Sequence, residues 1–259
     1  MFLRPGLFRA VRMPPAKAQL YAASARRFYS SFQSAGQASS ERLLYGALGL
    51  NTAVFVAWKY ADRTIPFEIK SEQIDLSKAR VLQALSTNFF FKDEDLHTGR
   101  WWTAITHAFS HASIPHFIFN MVALKTFGDA VISFLPGIRP LSFATLYLGA
   151  AIAGSVGWSA QRKQSESPRQ VAGAAGASGA ISGLAATAAL IAPNARWQLM
   201  FIPIGIPAWA IFSAYIAYSA FYMNDPNSGI GHSSHLGGAA FGAVYYLLVL
   251  RRLRFPFRR

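Results

Sequence analysis

Ser178 stands in the run Gly176-Ala177-Ser178-Gly179, and His235 opens a later run that contains Gly238 and Gly242. A serine hydroxyl is a poor nucleophile until a base within hydrogen-bond reach takes its proton, and histidine is the usual base. Flanking glycines let other backbone approach and leave the hydroxyl exposed, while a helix N-terminus offers free N–H groups. His116 and Asn120 are four apart, so on a helix they project from one face. Together with those N–H groups they can hold a tetrahedral oxyanion. No carboxylate lies near His235 in the sequence, so the arrangement is a Ser–His dyad rather than a triad.

Other residues compete for these roles. Ser182, in Ile-Ser-Gly one turn beyond Ser178, reads as a decoy that bonds a backbone carbonyl, because only Ser178 has the flanking glycines. His107 and His111 read as structural groups bonding loop carbonyls, and His97 and His232 as ordinary loop or interface histidines. The cluster His107, His111 and His116 raises a metal site. Without nearby Cys, Glu or Asp, and without an HExxH pattern, it lacks the usual zinc ligands and a base, so no metal and no cofactor is expected.

These groups need a scaffold, and composition says which kind. Of 259 residues, 53% are hydrophobic and only 14% charged, which suits a water-soluble globule poorly and excludes a disordered chain. There is no cysteine, which excludes a disulfide framework. The net charge of +14 is unevenly spread. Residues 1–40 hold Arg4, Arg9, Arg12, Lys17, Arg26 and Arg27 with no acid, among many Ser and Ala, which is the composition of a mitochondrial presequence. Arg27-Phe28-Tyr29-Ser30 fits a matrix-processing pattern, with cleavage after Tyr29. The last nine residues carry five arginines. Once both ends are explained, no basic stripe with interleaved aromatics is left, and nucleic acid drops out as a partner.

A bilayer core of about 30 Å needs about 20 apolar residues in a helix. The charge-poor runs predict six spans, at 43–60, 113–133, 140–160, 176–193, 201–222 and 234–251. The expected fold is an all-α polytopic membrane bundle of six transmembrane helices. Residues 61–100 form a long polar connection with seven acids and six bases. An even number of spans puts both termini on one side, and the basic tail assigns that side to the matrix. Arg162, Lys163 and Arg169 in the opposite loop count against this orientation. Spans two, four and six run in one direction, so His116, Ser178 and His235 fall at one depth on one face. Gly238 and Gly242 let the sixth helix pack on the small residues of the fourth. A channel or transporter would need charged or repeated polar positions along a pore, and the spans are nearly charge-free.

In order and placement these residues resemble the rhomboid family of intramembrane serine proteases. The matching elements are Gly-Arg-Trp-Trp-Thr at 99–103, His107 to Asn120, Gly-Ala-Ser-Gly at 176–179, and His235 with Gly238 and Gly242. The resemblance implies Ser178 as nucleophile and His235 as general base. It implies His116 and Asn120, with Gly176 and Gly179, around the oxyanion. It also implies an L1-type loop over 61–112, anchored at the interface by Arg100-Trp101-Trp102 and by Phe89-Phe90-Phe91. The presequence points to the mitochondrial branch, whose members cleave single-pass inner-membrane proteins and release fragments into the intermembrane space.

The expected organisation is a presequence or disordered basic N-terminus over 1–40, a six-span protease domain over 41–251 and a basic tail over 252–259. Expected partners are single-pass transmembrane substrates and the lipid bilayer, with the active site towards the intermembrane space. A rhomboid-like pseudoprotease that binds transmembrane segments without cutting them is the alternative. Three departures from the family pattern stand out. Thr103 follows Trp102 where Arg is frequent, and Ser182 occupies a position where many members stack an aromatic on the catalytic His. The extra span that commonly precedes the core in mitochondrial relatives is not expected here.

Overall fold

The computed structural model describes residues 15–62, 76–164, 173–199, 202–225 and 228–253. Over these residues the chain is mostly helical. Helix α1 (Pro15–Ala61) leads to three short helices, α2 (Leu76–Asn88), α3 (Asp93–His97) and α4 (Thr103–Thr106), and a 3-10 turn at His107–Phe109. Then come α5 (Ile114–Phe134), α6 (Pro140–Gln164) and α7 (Ser178–Ile191). A hairpin of β1 (Arg196–Leu199) and β2 (Ile202–Pro207) precedes α8 (Ala208–Phe221) and α9 (His232–Leu248). Among the described residues a helix lies within each of the six stretches expected as spans, filling some of them only in part. Two of them, α5 and α6, are long and apolar enough to cross a membrane, and α7 and α8 are apolar but shorter.

The bundle is organised around α7. Its Gly, Ala, Ile and Leu residues are apolar on every side, and from Gly179 to Ala189 every side chain is buried. A helix apolar all round belongs in the middle of a bundle. It packs on α9, α6 and α5, while α6 and α9 also pack heavily on each other. Small residues make that three-way approach possible. A Cβ at Gly238 would overlap the carbonyl oxygen of Gly179, and one at Gly242 would overlap that of Gly183. The gap is thus fixed by bare backbone, as in bundles whose helices gain nothing from hiding apolar surface. Thr187 adds a buried link, donating from Oγ1 to the Gly242 carbonyl at 3.1 Å.

Helix α5 starts where its sequence directs it to start. Ser113 is extended and its hydroxyl accepts from the His116 N–H at 3.3 Å, and Pro115 follows in the first turn. Further along, Lys125 and Asp129 form an ion pair one turn apart, so this helix is less charge-free than the sequence reading had it.

The described part of the connection between α1 and α5, from Leu76 on, is a folded cap. Asp95 is buried and accepts from Arg100 at 3.0 and 2.5 Å and from the Lys92 N–H at 3.0 Å. Ser155 on α6 donates to the Ala104 carbonyl at 3.0 Å, and Trp58 on α1 donates to Ser110 Oγ at 2.9 Å. Each bond ties the cap to a different helix.

Residues 15–40, within the stretch expected as a presequence or disordered basic N-terminus, run in helix continuously into the first expected span; between Pro15 and Gly36 this Ser/Ala/Arg-rich stretch has no glycine or proline to break it. Three expectations need correction. The helix expected over 201–222 starts late, because 202–207 is a strand paired antiparallel to β1 in an otherwise helical fold. Pro203, Gly205 and Pro207 disfavour helix there, and α8 begins only at Ala208. The fourth helix is shorter than 176–193, since Gly176 takes φ +137° and ends any helical continuation towards the N-terminus. Finally, Phe91 is no surface anchor: it is fully buried against Ala104 and Trp158.

Candidate active site

The first turns of three helices converge. His116 lies in the first turn of α5, Ser178 is the first residue of α7, and His235 is the fourth of α9. His235 Nε2 sits 2.8 Å from Ser178 Oγ, a normal hydrogen bond. The packing of Gly238 on Gly179 accounts for this distance, because these glycines lie within one turn of His235 and next to Ser178. His235 Nδ1 has no hydrogen-bond partner among the described residues, so nothing there acts as the third member of a triad.

The segment before Ser178 is held by the cap. Phe91 and Ala174 exchange two backbone hydrogen bonds, at 3.0 and 2.8 Å, and the Gly176 N–H donates to the His107 carbonyl at 3.0 Å. His107 is itself fixed, with Nδ1 3.0 Å from the Thr103 carbonyl. That contact requires the hydrogen on Nδ1, and burial pushes the imidazole down to about 4, which keeps the ring neutral. His111 Nε2 lies 3.5 Å from the Ala177 N–H, and its ring meets His116 edge-on.

Gly176 needs to be glycine. Its φ of +137° is a conformation side chains rarely adopt. A Cβ there would come within 3.0 and 3.1 Å of His116 Cε1 and Nε2 and 3.8 Å of Ser178 Oγ. The His116 ring and the Ser178 hydroxyl therefore border the same small space. Asn120 points one N–H at the His116 carbonyl, 2.7 Å away, which leaves its second amide N–H for another acceptor.

All of this opens onto an apolar cavity of about 820 Å³. Phe119, Asn120 and Phe127 of α5 wall one side and Ile211, Tyr215 and Tyr218 of α8 the other, with Ser178 and His235 in the lining. The cavity is almost wholly apolar apart from His235, Asn120 and a few hydroxyls, Ser178 among them. Among the described residues no cluster of His, Cys, Asp and Glu could hold a metal ion.

Ser182 is engaged elsewhere. Its Oγ lies 2.7 Å from the Ser178 carbonyl and 2.6 Å from the Tyr215 hydroxyl. Tyr215 also stacks on His235, with ring centroids 5.8 Å apart and planes 28° from parallel. Sequence reasoning did not find Tyr215. It lies on α8, and no spacing rule relates a residue there to Ser178.

A family model described as the Rhomboid domain matches residues 98–252. RHOMBOID-like protein 12, mitochondrial, of Arabidopsis thaliana is 29% identical over 246 residues, covering 88% of this chain and 66% of that protein. Rhomboid protein 1, mitochondrial, of Saccharomyces cerevisiae is 30% identical over 206 residues, covering 79% of this chain and 52% of that protein. The chain thus spans between half and two thirds of the length of these relatives. With the family model covering more than half of it, and with relatives of these names, the chain belongs to the rhomboid family, on its mitochondrial branch.

Proposed function

We propose that this chain is an intramembrane serine endopeptidase that cuts transmembrane segments with the dyad Ser178 and His235. The observation that carries the reading is the 2.8 Å contact between His235 Nε2 and Ser178 Oγ in the lining of an apolar cavity. In the first step Ser178 Oγ attacks a peptide carbonyl carbon as its proton passes to His235 Nε2, with the Nδ1 hydrogen retained. The carbonyl oxygen becomes an oxyanion, for which the His116 ring, the second Asn120 N–H and the free N–H groups at the start of α7 are donors. His235 then gives its proton to the leaving amine, and water attacks the acyl-serine by the same route in reverse.

The cavity supports an apolar substrate class. An apolar space between α5 and α8 suits an apolar segment, and an extended stretch near small or helix-destabilising residues can present a carbonyl to Ser178. Membrane embedding is supported by what the helices leave uncovered: Ile118 and Phe119 on α5, Leu141 and Val156 on α6, Phe221 on α8 and Leu248 on α9. Exposed apolar side chains on four helices find a better solvent in lipid than in water. The test is a purified single-span reporter in liposomes with this protein. Cleavage within or at the edge of the span is expected. A reporter that co-purifies uncut would favour the pseudoprotease reading instead.

The location we propose is the mitochondrial inner membrane, with six spans, both termini in the matrix and the dyad towards the intermembrane space. The relatives' names and the acid-free basic stretch over 1–40 support the organelle, and the basic tail supports the orientation. Protease added to mitoplasts should spare a C-terminal tag. Digestion of the tag would reverse the orientation.

A further inference from the structure

Tyr215 stacks on His235 and reaches Ser178 through Ser182, from a helix that contributes neither member of the dyad. Its ring lies nearly parallel to the His235 imidazole at 5.8 Å, and its hydroxyl meets Ser182 Oγ at 2.6 Å. The direction of the polar chain follows from the donor count. A backbone carbonyl only accepts, so the one Ser182 hydrogen goes to the Ser178 carbonyl 2.7 Å away. The Tyr215 hydroxyl must then donate to Ser182 Oγ. The series Tyr215 O–H, Ser182 O–H, Ser178 C=O thus reaches the backbone of the serine whose side chain His235 faces.

We propose that Tyr215, acting through Ser182 and through the His235 ring, is the positioning residue that holds the dyad in register. Three features make this more than ordinary packing. His235 has no protein partner at Nδ1 among the described residues, so no hydrogen bond from that side fixes the tilt of its ring. The stack with Tyr215 supplies that restraint. The same tyrosine fixes the first residue of α7, so one side chain sets the relative position of Oγ and Nε2. Tyr215 also lies in the wall of the cavity, on α8 opposite α5, which makes dyad alignment depend on where α8 sits.

This inference rests on Ser178 being the nucleophile, and the experiment separates the two. The purified full chain is labelled with a fluorophosphonate probe, and the rate of label appearing at Ser178 is followed beside thermal unfolding and reporter cleavage. Tyr215→Phe keeps the ring and loses the donor, and should slow labelling by about threefold to tenfold. Ser182→Ala should slow it by a similar factor, and the two changes together by little more than either alone, since they cut one chain. Tyr215→Ala loses ring and hydroxyl and should slow labelling by about a hundredfold, through the rate at saturating reporter rather than through KM. A wild-type protein unlabelled at Ser178 would overturn the nucleophile assignment, and this inference with it. Labelling of wild type with an unchanged rate in Tyr215→Ala, or a loss in KM alone, would overturn the role of Tyr215 only.

Discussion

Ser178→Ala is expected to lower reporter cleavage by at least about 10,000-fold while leaving the protein folded. The size of the effect follows from what remains. Without Oγ, His235 has no nucleophile to activate, and the His116 and Asn120 donors have no tetrahedral species to stabilise. Ser182 cannot stand in, because its hydroxyl is held between the Ser178 carbonyl and the Tyr215 hydroxyl. Stability should hardly change. Alanine is the best helix former, and position 178 loses one hydrogen bond, which is about 1 kcal/mol. Unfolding of the variant within a few degrees of wild type, with cleavage gone, is the expected pair of results.

Gly238→Val should affect both quantities. The first atom of the new side chain would overlap the Gly179 carbonyl oxygen, which is backbone and has no rotamer to yield. Helices α7 and α9 must separate, at a cost of about 1–3 kcal/mol for overpacking. The displacement then falls on the dyad, because Gly179 adjoins Ser178 and Gly238 lies within one turn of His235. A shift of about 1 Å between reacting groups costs about a hundredfold in rate. Gly46→Ala is the matched control: nothing lies within 4 Å of a Cβ there, and α1 should gain slightly in stability with no loss of cleavage. A Gly238→Val protein with wild-type activity would mean that the glycine contact does not set the dyad distance.

The site was legible in the sequence to the extent that it is built from short-range patterns. The glycines beside Ser178, the four-residue spacing of His116 and Asn120, and the glycines after His235 each report a local requirement. Counting spans supplied the long-range part, since it put the three first turns at one end of the bundle. The rest depended on facts without a local signature. The contact of Tyr215 with Ser182 bridges 33 residues and depends on how α8 is rotated against α7. The burial of Phe91 depends on its backbone pairing with Ala174, which a triple phenylalanine does not announce. The hairpin was different, because its signal was present. Ile202, Ile204 and Ile206 alternate with Pro203 and Gly205, a period of two that hydropathy counting over long windows smooths away.

The central claim is that Ser178 is a nucleophile activated by His235, and the most direct measurement is the site of covalent modification. The purified protein, treated with a fluorophosphonate and digested, should carry the adduct on Ser178 alone, and His235→Ala should abolish it. An unmodified protein, or an adduct on Ser182 that survives in His235→Ala, would contradict the account.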